Sequence, residues 1–582
     1  MRAERSVPGG GLHERLPYRW VALTNTTVGT LMATINSSIV IISLPAIFNG
    51  IRLDPLAPGN VSYLLWMLMG YLLVTAVLVV TLGRLGDIYG RVRIYNAGFA
   101  VFALGSAALA LTPLEGGGGA VWLIGWRVVQ GVGGAMLLAN STAIITDAFP
   151  AHQRGMAVGI NQVAALAGSF IGLVAGGLLA EWNWRAIFWV SVPIGIVGTA
   201  WAYRSLRETA VRRAARIDWW GNVTFGAGLT VLLAGITYGI QPYGDHTQGW
   251  TNPWVVAGLV GGVALLAVFG VVERHVGHPM FPLELFRVQA FWTGNLAALL
   301  ASIARGGLQF MLIIWLQGIW LPLHGYDYAE TPLWAGIYLL PLTLGFLVAG
   351  PLSGHLSDRY GARVFTTGGM ALSALTYVGL LMLPADFSYP VFGLLLALNG
   401  IGAGLFTAPN TTAIMNSVPA HQRGASAGMA ATFQNSGMVL SMGVFFSLLI
   451  AGLADKLPGA MRAGLTAEGV PAGAADTVAG LPPVGTVFAA FLGFNPIAEV
   501  LPAGVLDRLP AGNVAALTGK ELFPHLLGGP FRHGLVVVFG LAAAMALVAA
   551  LVSLVRGRRY VHLDPTPDLT ADEAADRETM AV

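Results

Sequence analysis

The sequence contains no cysteine. Disulfides and thiol-ligated metals or clusters are therefore excluded. Charge is scarce as well: Asp, Glu, Lys and Arg make up 10% of the chain, against about 25% in a soluble domain. There is no HExxH pattern, no cluster of histidines and no triad-like arrangement, so no enzyme active site, cofactor or nucleic-acid partner is expected. Gly400, Gly402 and Gly404 lie in an apolar run with no preceding strand, and Leu517–Lys520 lacks P-loop spacing; neither reads as a nucleotide loop. A quieter absence is the most informative: no Asp or Glu falls in the middle of any long apolar segment, and Asp147, Asp218 and Glu181 all sit near segment ends.

What is present is hydrocarbon-like. Over 582 residues, 55% are apolar and mean hydropathy is +0.69, which predicts an all-α polytopic membrane protein. With about 20 residues needed to cross a bilayer, fourteen apolar spans can be counted, centred near 32, 73, 103, 134, 168, 195, 230, 263, 304, 343, 374, 402, 438 and 544. Arginines concentrate in alternate loops, among them Arg84, Arg91, Arg93, Arg204, Arg207, Arg287, Arg359 and Arg363, together with Arg556 after the last span, whereas the opposite short loops carry Arg52 and Arg185. The positive side is the cytoplasmic one, so both termini are expected in the cytoplasm of a cell (plasma) membrane protein, with tails at 1–18 and 557–582. The N-terminal tail is read as retained, since no A-x-A-like cleavage site follows it.

Two loops organise the chain. Gly83-Arg84-Leu85-Gly86-Asp87-Ile88-Tyr89-Gly90-Arg91 joins spans 2 and 3, and its likeness recurs at Gly354-His355-Leu356-Ser357-Asp358-Arg359-Tyr360-Gly361 between spans 10 and 11. Pro150-Ala151-His152-Gln153-Arg154-Gly155 likewise recurs at Pro419–Gly424. Both recurrences are displaced by eight spans. The economical reading is two six-helix bundles, 19–205 and 291–556, with two further helices in a 206–290 linker. Parallel repeats of this kind suit a transporter whose substrate cavity lies near the midplane between the halves. An insert at 453–530 is expected on the outer face. Its apolar stretch Thr486–Phe494 reads either as part of a packed cap or as an interfacial or re-entrant element that meets lipid or substrate.

At this point the chain resembles the major facilitator superfamily, in its fourteen-helix bacterial drug:proton antiporter branch. The resemblance rests on Gly83–Arg93, on Trp126-Arg127-Val128-Val129-Gln130-Gly131-Val132-Gly133-Gly134 in span 4, and on Gly168, Gly172, Gly176 and Gly177 in span 5. Trp184-Arg185 through Gly195, Ala408-Pro409-Asn410 and Asn435 complete it. It implies a major facilitator fold, alternating access, a proton gradient as driving force, and a conformational latch made by Asp87 and Arg91 with Asp147. Two departures stand out. Where the branch has an Asp near the end of span 1, this chain has Asn36, which cannot titrate. Where span 5 has Gly-Pro, it has Gly172-Leu173. If protons are used, Asp147 and Asp87 are the remaining candidates, with His152 and His355 behind them.

Arg127 and Arg305 lie inside spans, where a cation costs about 2.5–3.5 kcal/mol on insertion scales; both are expected to serve the cavity, with a structural arginine bonded to the backbone (Arg127) or in a buried network (Arg305) as the alternative. Positions 305, 309, 313 and 317 share a helical face, so Arg305, Gln309 and Gln317 are expected to form one polar stripe. Asn36, Asn140, Gln162, Asn410 and Asn435 are further cavity candidates, and each of these, like Gln309 and Gln317, is equally able to act as interhelical glue. Gly83, Asp87, Gly90, Arg91 and Asp147, with Asp358, Arg359 and Gly361 in the second half, are the expected switch; Gly168, Gly172 and Gly176 are a helix-packing stripe. Positive midplane charge without a carboxylate favours neutral or anionic amphiphiles over cations. The expected function is secondary active export of hydrophobic small molecules by a monomer in the lipid bilayer. Transport of a lipid or cell-envelope component is the alternative, and a non-transporting receptor is a third reading.

Overall fold

The computed structural model describes residues 17–557 apart from 55, 58, 151–152, 209–216, 245, 247, 420–422 and 503. Both tails, and the centres of the repeated Pro-Ala-His-Gln-Arg-Gly stretches with His152, lie outside the described residues. Among those described, fourteen helices are long and apolar enough to cross a membrane. Spans 1–7 are Tyr18–Gly50, Asn60–Tyr89, Arg91–Ala110, Gly116–Ala148, Met156–Trp182, Ala186–Ser205 and Trp219–Gly239. Spans 8–14 are Pro253–His275, Gln289–Leu323, Thr331–Ser357, Ala362–Met382, Tyr389–Asn416, Ser426–Ala454 and Leu522–Leu554.

Apolar runs of this length become helices because lipid offers no partner to a free N–H or C=O. Their ends follow local chemistry. The Asp218 side chain accepts from the Gly221 N–H at 2.8 Å and starts span 7; Asn252 accepts from Trp254 N and, with Pro253, starts span 8. Gly90 (φ 112°) and Gly361 (φ 85°) break the helix between spans 2 and 3 and between spans 10 and 11. Those angles lie where a Cβ is strained, which explains why both organising loops end on glycine.

Packing follows the internal repeat. Span 1 lies on spans 4 and 5, span 4 on spans 2 and 3, and span 3 on span 6; in the second group span 12 lies on spans 10 and 11, and span 14 on spans 9, 11 and 13. The groups meet where span 2 packs on span 13 and span 5 on span 10. Spans 7 and 8 pack on each other, and span 7 also touches spans 2 and 13.

The insert departs from expectation at its end, whereas its apolar stretch follows the packed reading. Span 14 begins at Leu522, so 522–530 belongs to a spanning helix. Pro524 is tolerated there because it falls in the first turn, whose N–H groups have no helical partner. The apolar stretch is a helix, Pro483–Phe491, in which every residue is buried. It is wedged among spans 2, 9, 13 and 14. The Phe488 ring lies 4.9 Å from Phe446 and the Phe491 ring 6.3 Å from Phe310. On the side of the first group, Asn49 Nδ2 donates to the Leu492 carbonyl at 3.3 Å. The segment faces protein rather than lipid and plugs the seam between the groups at the end remote from Asp87.

Candidate substrate cavity and switch

Arg127 is a cation buried within span 4. It is 1% exposed, and leaving a cation out of water costs several kcal/mol unless its donors are met. Its Nη1 donates to Asn36 Oδ1 and, at 2.6 Å, to Gln130 Oε1, while Nε reaches the Met67 carbonyl at 3.4 Å. The guanidinium also lies 4.4 Å from the centroid of the Tyr71 ring, a contact worth about 2 kcal/mol when desolvated. Gln130 is held in turn by donating to Ser106 Oγ at 2.7 Å, and Asn36 Nδ2 reaches Ser191 Oγ at 3.5 Å. The hydrogen-bond partners of Arg127 are thus neutral, and its positive charge is conserved inside the first bundle. The residue that replaces the branch's Asp is the one that holds this arginine. Gln130 was not singled out from sequence, although its (i, i+3) spacing from Arg127 is a usable signal.

Arg305 has a different setting. It is half-buried, 5.9 Å from the centroid of the Phe346 ring, and it lines a cavity within the second bundle with Ser302, Tyr377, Phe406, Asn410 and Gln434. The expected polar stripe is not continuous. Gln309 is half-buried, but at 3.6 residues per turn position 317 already lies about 120° round the helix from 305, and residues 316–320 form a π-helical turn. Gln317 therefore points across the interface and donates to the Ile42 carbonyl of span 1 at 3.2 Å. It is glue between the bundles at that end, not a continuation of the Arg305 face.

The remaining amides divide. Asn140 is buried and pins span 4 to span 2, donating to the Leu82 carbonyl at 3.3 Å and to Met136 at 2.9 Å; it packs where any Cβ on Gly86 would strike its Oδ1. Its donors join the helices, while its Oδ1 is buried without a hydrogen-bond partner. Gln162 is exposed, whereas its neighbour Asn161 is buried, accepting from Thr30 Oγ1 and donating to Ser141. Asn435 is half-buried. Asn410 lines the Arg305 cavity, donates to the Gly294 carbonyl at 3.1 Å and accepts from Arg556 Nη2. Arg556, counted from sequence among the cytoplasmic-side charges, is 5% exposed. Its Nε and Nη1 have no hydrogen-bond partner, and burial pushes the guanidinium down to about 10.

The three residues expected to form the latch make one ion-pair cluster, termed the lock. Arg91 Nε donates to Asp87 Oδ1 at 2.8 Å, and its Nη1 contacts both Asp147 oxygens at 2.8 and 2.7 Å. Side-chain exposures of 24–37% leave water access, so the lock can be made and broken. Glu208, missed from sequence because it follows span 6, caps span 3 by accepting from Arg91 N and Val92 N at 3.0 and 3.1 Å. In the second half Arg359 is exposed over the Tyr360 ring, and Asn416 stands at the repeat position of Asp147, so an Arg–Asp lock to span 12 cannot form there; the Asp358 side chain lies outside the described residues. Gly83 meets only Ala139 at an ordinary 3.7 Å. The span 5 stripe is required by contact: a Cβ at Gly172 would sit 2.5 Å from the Ile35 carbonyl, and one at Gly176 2.9 Å from that of Ile39. Leu173, in place of the branch's proline, is buried in an unbroken helix.

Residues 26–442 match the Major Facilitator Superfamily. The chain is 28% identical over 551 residues to the Tetracenomycin C resistance and export protein of Streptomyces glaucescens, covering 94% of this chain and 93% of that protein. It is 31% identical to the Multidrug resistance protein Stp of Mycobacterium tuberculosis, covering 75% and 77%. Among solved structures, an autoinhibited POT family peptide transporter superposes with a TM-score of 0.55 at 16% identity, covering 94% of this chain and 98% of that one. Fourteen lipid-length helices in two repeated bundles, a loop 2–3 lock and a match over most of the chain place this protein in the Major Facilitator Superfamily.

Proposed function

We propose that the protein is a secondary exporter of hydrophobic small molecules, neutral or anionic, that works by alternating access and draws on the proton gradient. The observation that carries this is Arg127: a cation fixed in the first bundle by neutral partners, with Arg305 lining a cavity in the second. A cationic substrate would meet like charge from both sides without a carboxylate to offset its desolvation. The named export and resistance functions of the two relatives favour small organic molecules as cargo. The half-exposed Asp87–Arg91–Asp147 lock suits one end of the cycle. At the other end the buried Pro483–Phe491 wedge must shift before cargo can leave. In this reading both termini are cytoplasmic and the monomer is the working unit.

The test is substrate-dependent proton release from acidified everted vesicles, challenged with cationic, neutral and anionic amphiphiles. Release by neutral and anionic compounds, absent without the protein, is expected. Release by cations alone would overturn the charge argument, and no release by any compound would overturn proton coupling.

A further inference from the structure

The linker helices contain a pair of buried carboxyl groups that the lock and cavity do not use. Asp218 and Glu273 are 4% and 3% exposed. Each has one oxygen engaged by the backbone: Asp218 Oδ1 accepts from Gly221 N at 2.8 Å, and Glu273 Oε2 from Phe281 N at 2.9 Å. The other two oxygens, Asp218 Oδ2 and Glu273 Oε1, are buried with no hydrogen-bond partner. They converge on one point: a Cβ on Gly221 would strike Asp218 Oδ2 and, at 2.8 Å, Glu273 Oε1. Two carboxylates this close, out of water, do not both stay ionised, whereas one proton between them satisfies both free oxygens.

The charged surroundings are few. Arg84 of span 2 lies near enough to interact with both acids and donates to the carbonyls of His278 and Pro279; Asp87 stands beyond it on the same helix. Span 8 itself carries Arg274 and His275, whose Nδ1 lies 2.8 Å from the Val271 carbonyl. Span 7 contributes neutral Asn222, bonded to the Asp218 carbonyl and to Thr81 of span 2. Span 13 presents the Phe433 ring, 5.7 Å from that of Phe281.

We infer that Asp218 and Glu273 form a proton-binding site that holds one shared proton where the linker meets both bundles, and whose occupancy is transmitted to loop 2–3 through Arg84. Loss of the proton leaves two like charges. Their repulsion strains the Glu273–Phe281 tether to span 13, and their combined charge draws Arg84 from the His278 and Pro279 carbonyls. Only the relevance of this site to transport rests on the proposed function; the proton site itself does not.

Infrared titration of the purified full-length protein tests the site directly. A protonated-carboxyl carbonyl band is expected that Asp218→Asn and Glu273→Gln each remove and that Glu181→Gln leaves, in samples that remain monodisperse. Absence of that band from the wild type, or its persistence in both pair variants, overturns the site. Transmission is tested in the cysteine-free chain with Tyr89→Cys, an exposed reporter in loop 2–3. Its maleimide labelling, corrected for thiol ionisation, is expected to step with pH in the parent and to lose the step in Glu273→Gln. An unchanged step overturns the transmission. Neither readout depends on transport, so failure of the export reading would register separately, in the vesicle assay.

Discussion

Asn36→Asp is the substitution that most directly interrogates the charge held by Arg127. The Asn36 side chain contacts Arg127 through Oδ1, both residues are buried, and an aspartate of nearly the same shape would place a carboxylate against the guanidinium. The buried charge of Arg127 would then be offset. A substrate anion about 8 Å from Arg127 gains roughly 2 kcal/mol at an effective dielectric of about 20, which corresponds to about thirtyfold in affinity. The variant is therefore expected to weaken binding of an anionic amphiphile by about ten- to thirtyfold while changing that of a neutral analogue of equal size by less than about threefold. Equilibrium binding to the purified protein, with the two ligands compared at constant ionic strength, measures this without requiring turnover. Monodispersity checks the fold, since the new charge-assisted bond, worth about 1.5–3 kcal/mol, offsets part of the carboxylate's desolvation. Equal loss of both ligands would mean that Asn36 shapes the site rather than setting its charge. Unchanged affinity for the anion would refute the argument that Arg127 acts on the substrate.

Other consequences are open to measurement. Arg91→Ala removes the partner of both Asp87 and Asp147; it is expected to slow transport at least tenfold and to raise thiol labelling of single cysteines placed along the seam between the bundles at the lock end, with unaltered labelling refuting the lock. Gly172→Val drives side-chain atoms into the Ile35 backbone, so loss of folded protein is expected by fluorescence-detected size exclusion, whereas Gly83→Ala, with ordinary clearance, should be tolerated. Phe488→Ala opens a hole in the fully buried wedge at a cost of about 3–5 kcal/mol; a lower unfolding temperature and faster labelling of a nearby single cysteine are expected. Arg556 is a buried cation whose folded-state value lies below that of the free side chain. Its burial opposes folding at neutral pH, and the penalty fades only as pH rises past about 10. Arg556→Met is accordingly expected to raise the unfolding midpoint at neutral pH by an amount equivalent to about 1–3 kcal/mol.

The fold was legible because lipid leaves the backbone few options. Fourteen apolar runs and a displacement of eight spans are enough to name fourteen helices and a duplicated bundle. Loop 2–3 was equally readable, since glycine and charge between two apolar runs permit little besides a tight aqueous turn. The limits were those of one-dimensional periodicity. Steps of four residues drift by about 40° each, so Gln317 lies about 120° round the helix from Arg305 and bonds to span 1 of the other bundle. Asn140 and Asn410 have the same composition signal, yet one pins span 2 while the other lines a cavity, because the outcome depends on which helix arrives from a distant part of the chain. Glu208 and Arg556 were hidden for the same reason: each lies outside the spanning runs in sequence and is drawn into the structure by a partner more than a hundred residues away.

Charge placement gives these observations a common logic. A carboxylate in place of Asn36 would neutralise Arg127 in the resting protein, and a proton arriving there would release the arginine's field. With asparagine the field is permanent, and protonation inside the first bundle can no longer switch it. The described structure keeps its buried acids elsewhere, as a facing pair on spans 7 and 8, next to Arg84 in the loop that also carries the lock. Separating the proton from the substrate field allows an anion to be held throughout the cycle while protonation acts on the seam between bundles instead of on the cargo. The double variant Asn36→Asp/Glu273→Gln addresses that separation. If the two sites serve independent tasks, its effects on anion affinity and on the pH response of loop 2–3 should add within about 0.5 kcal/mol, as they do for distant sites without shared partners. Strong non-additivity would mean that the proton and the substrate are read by one network.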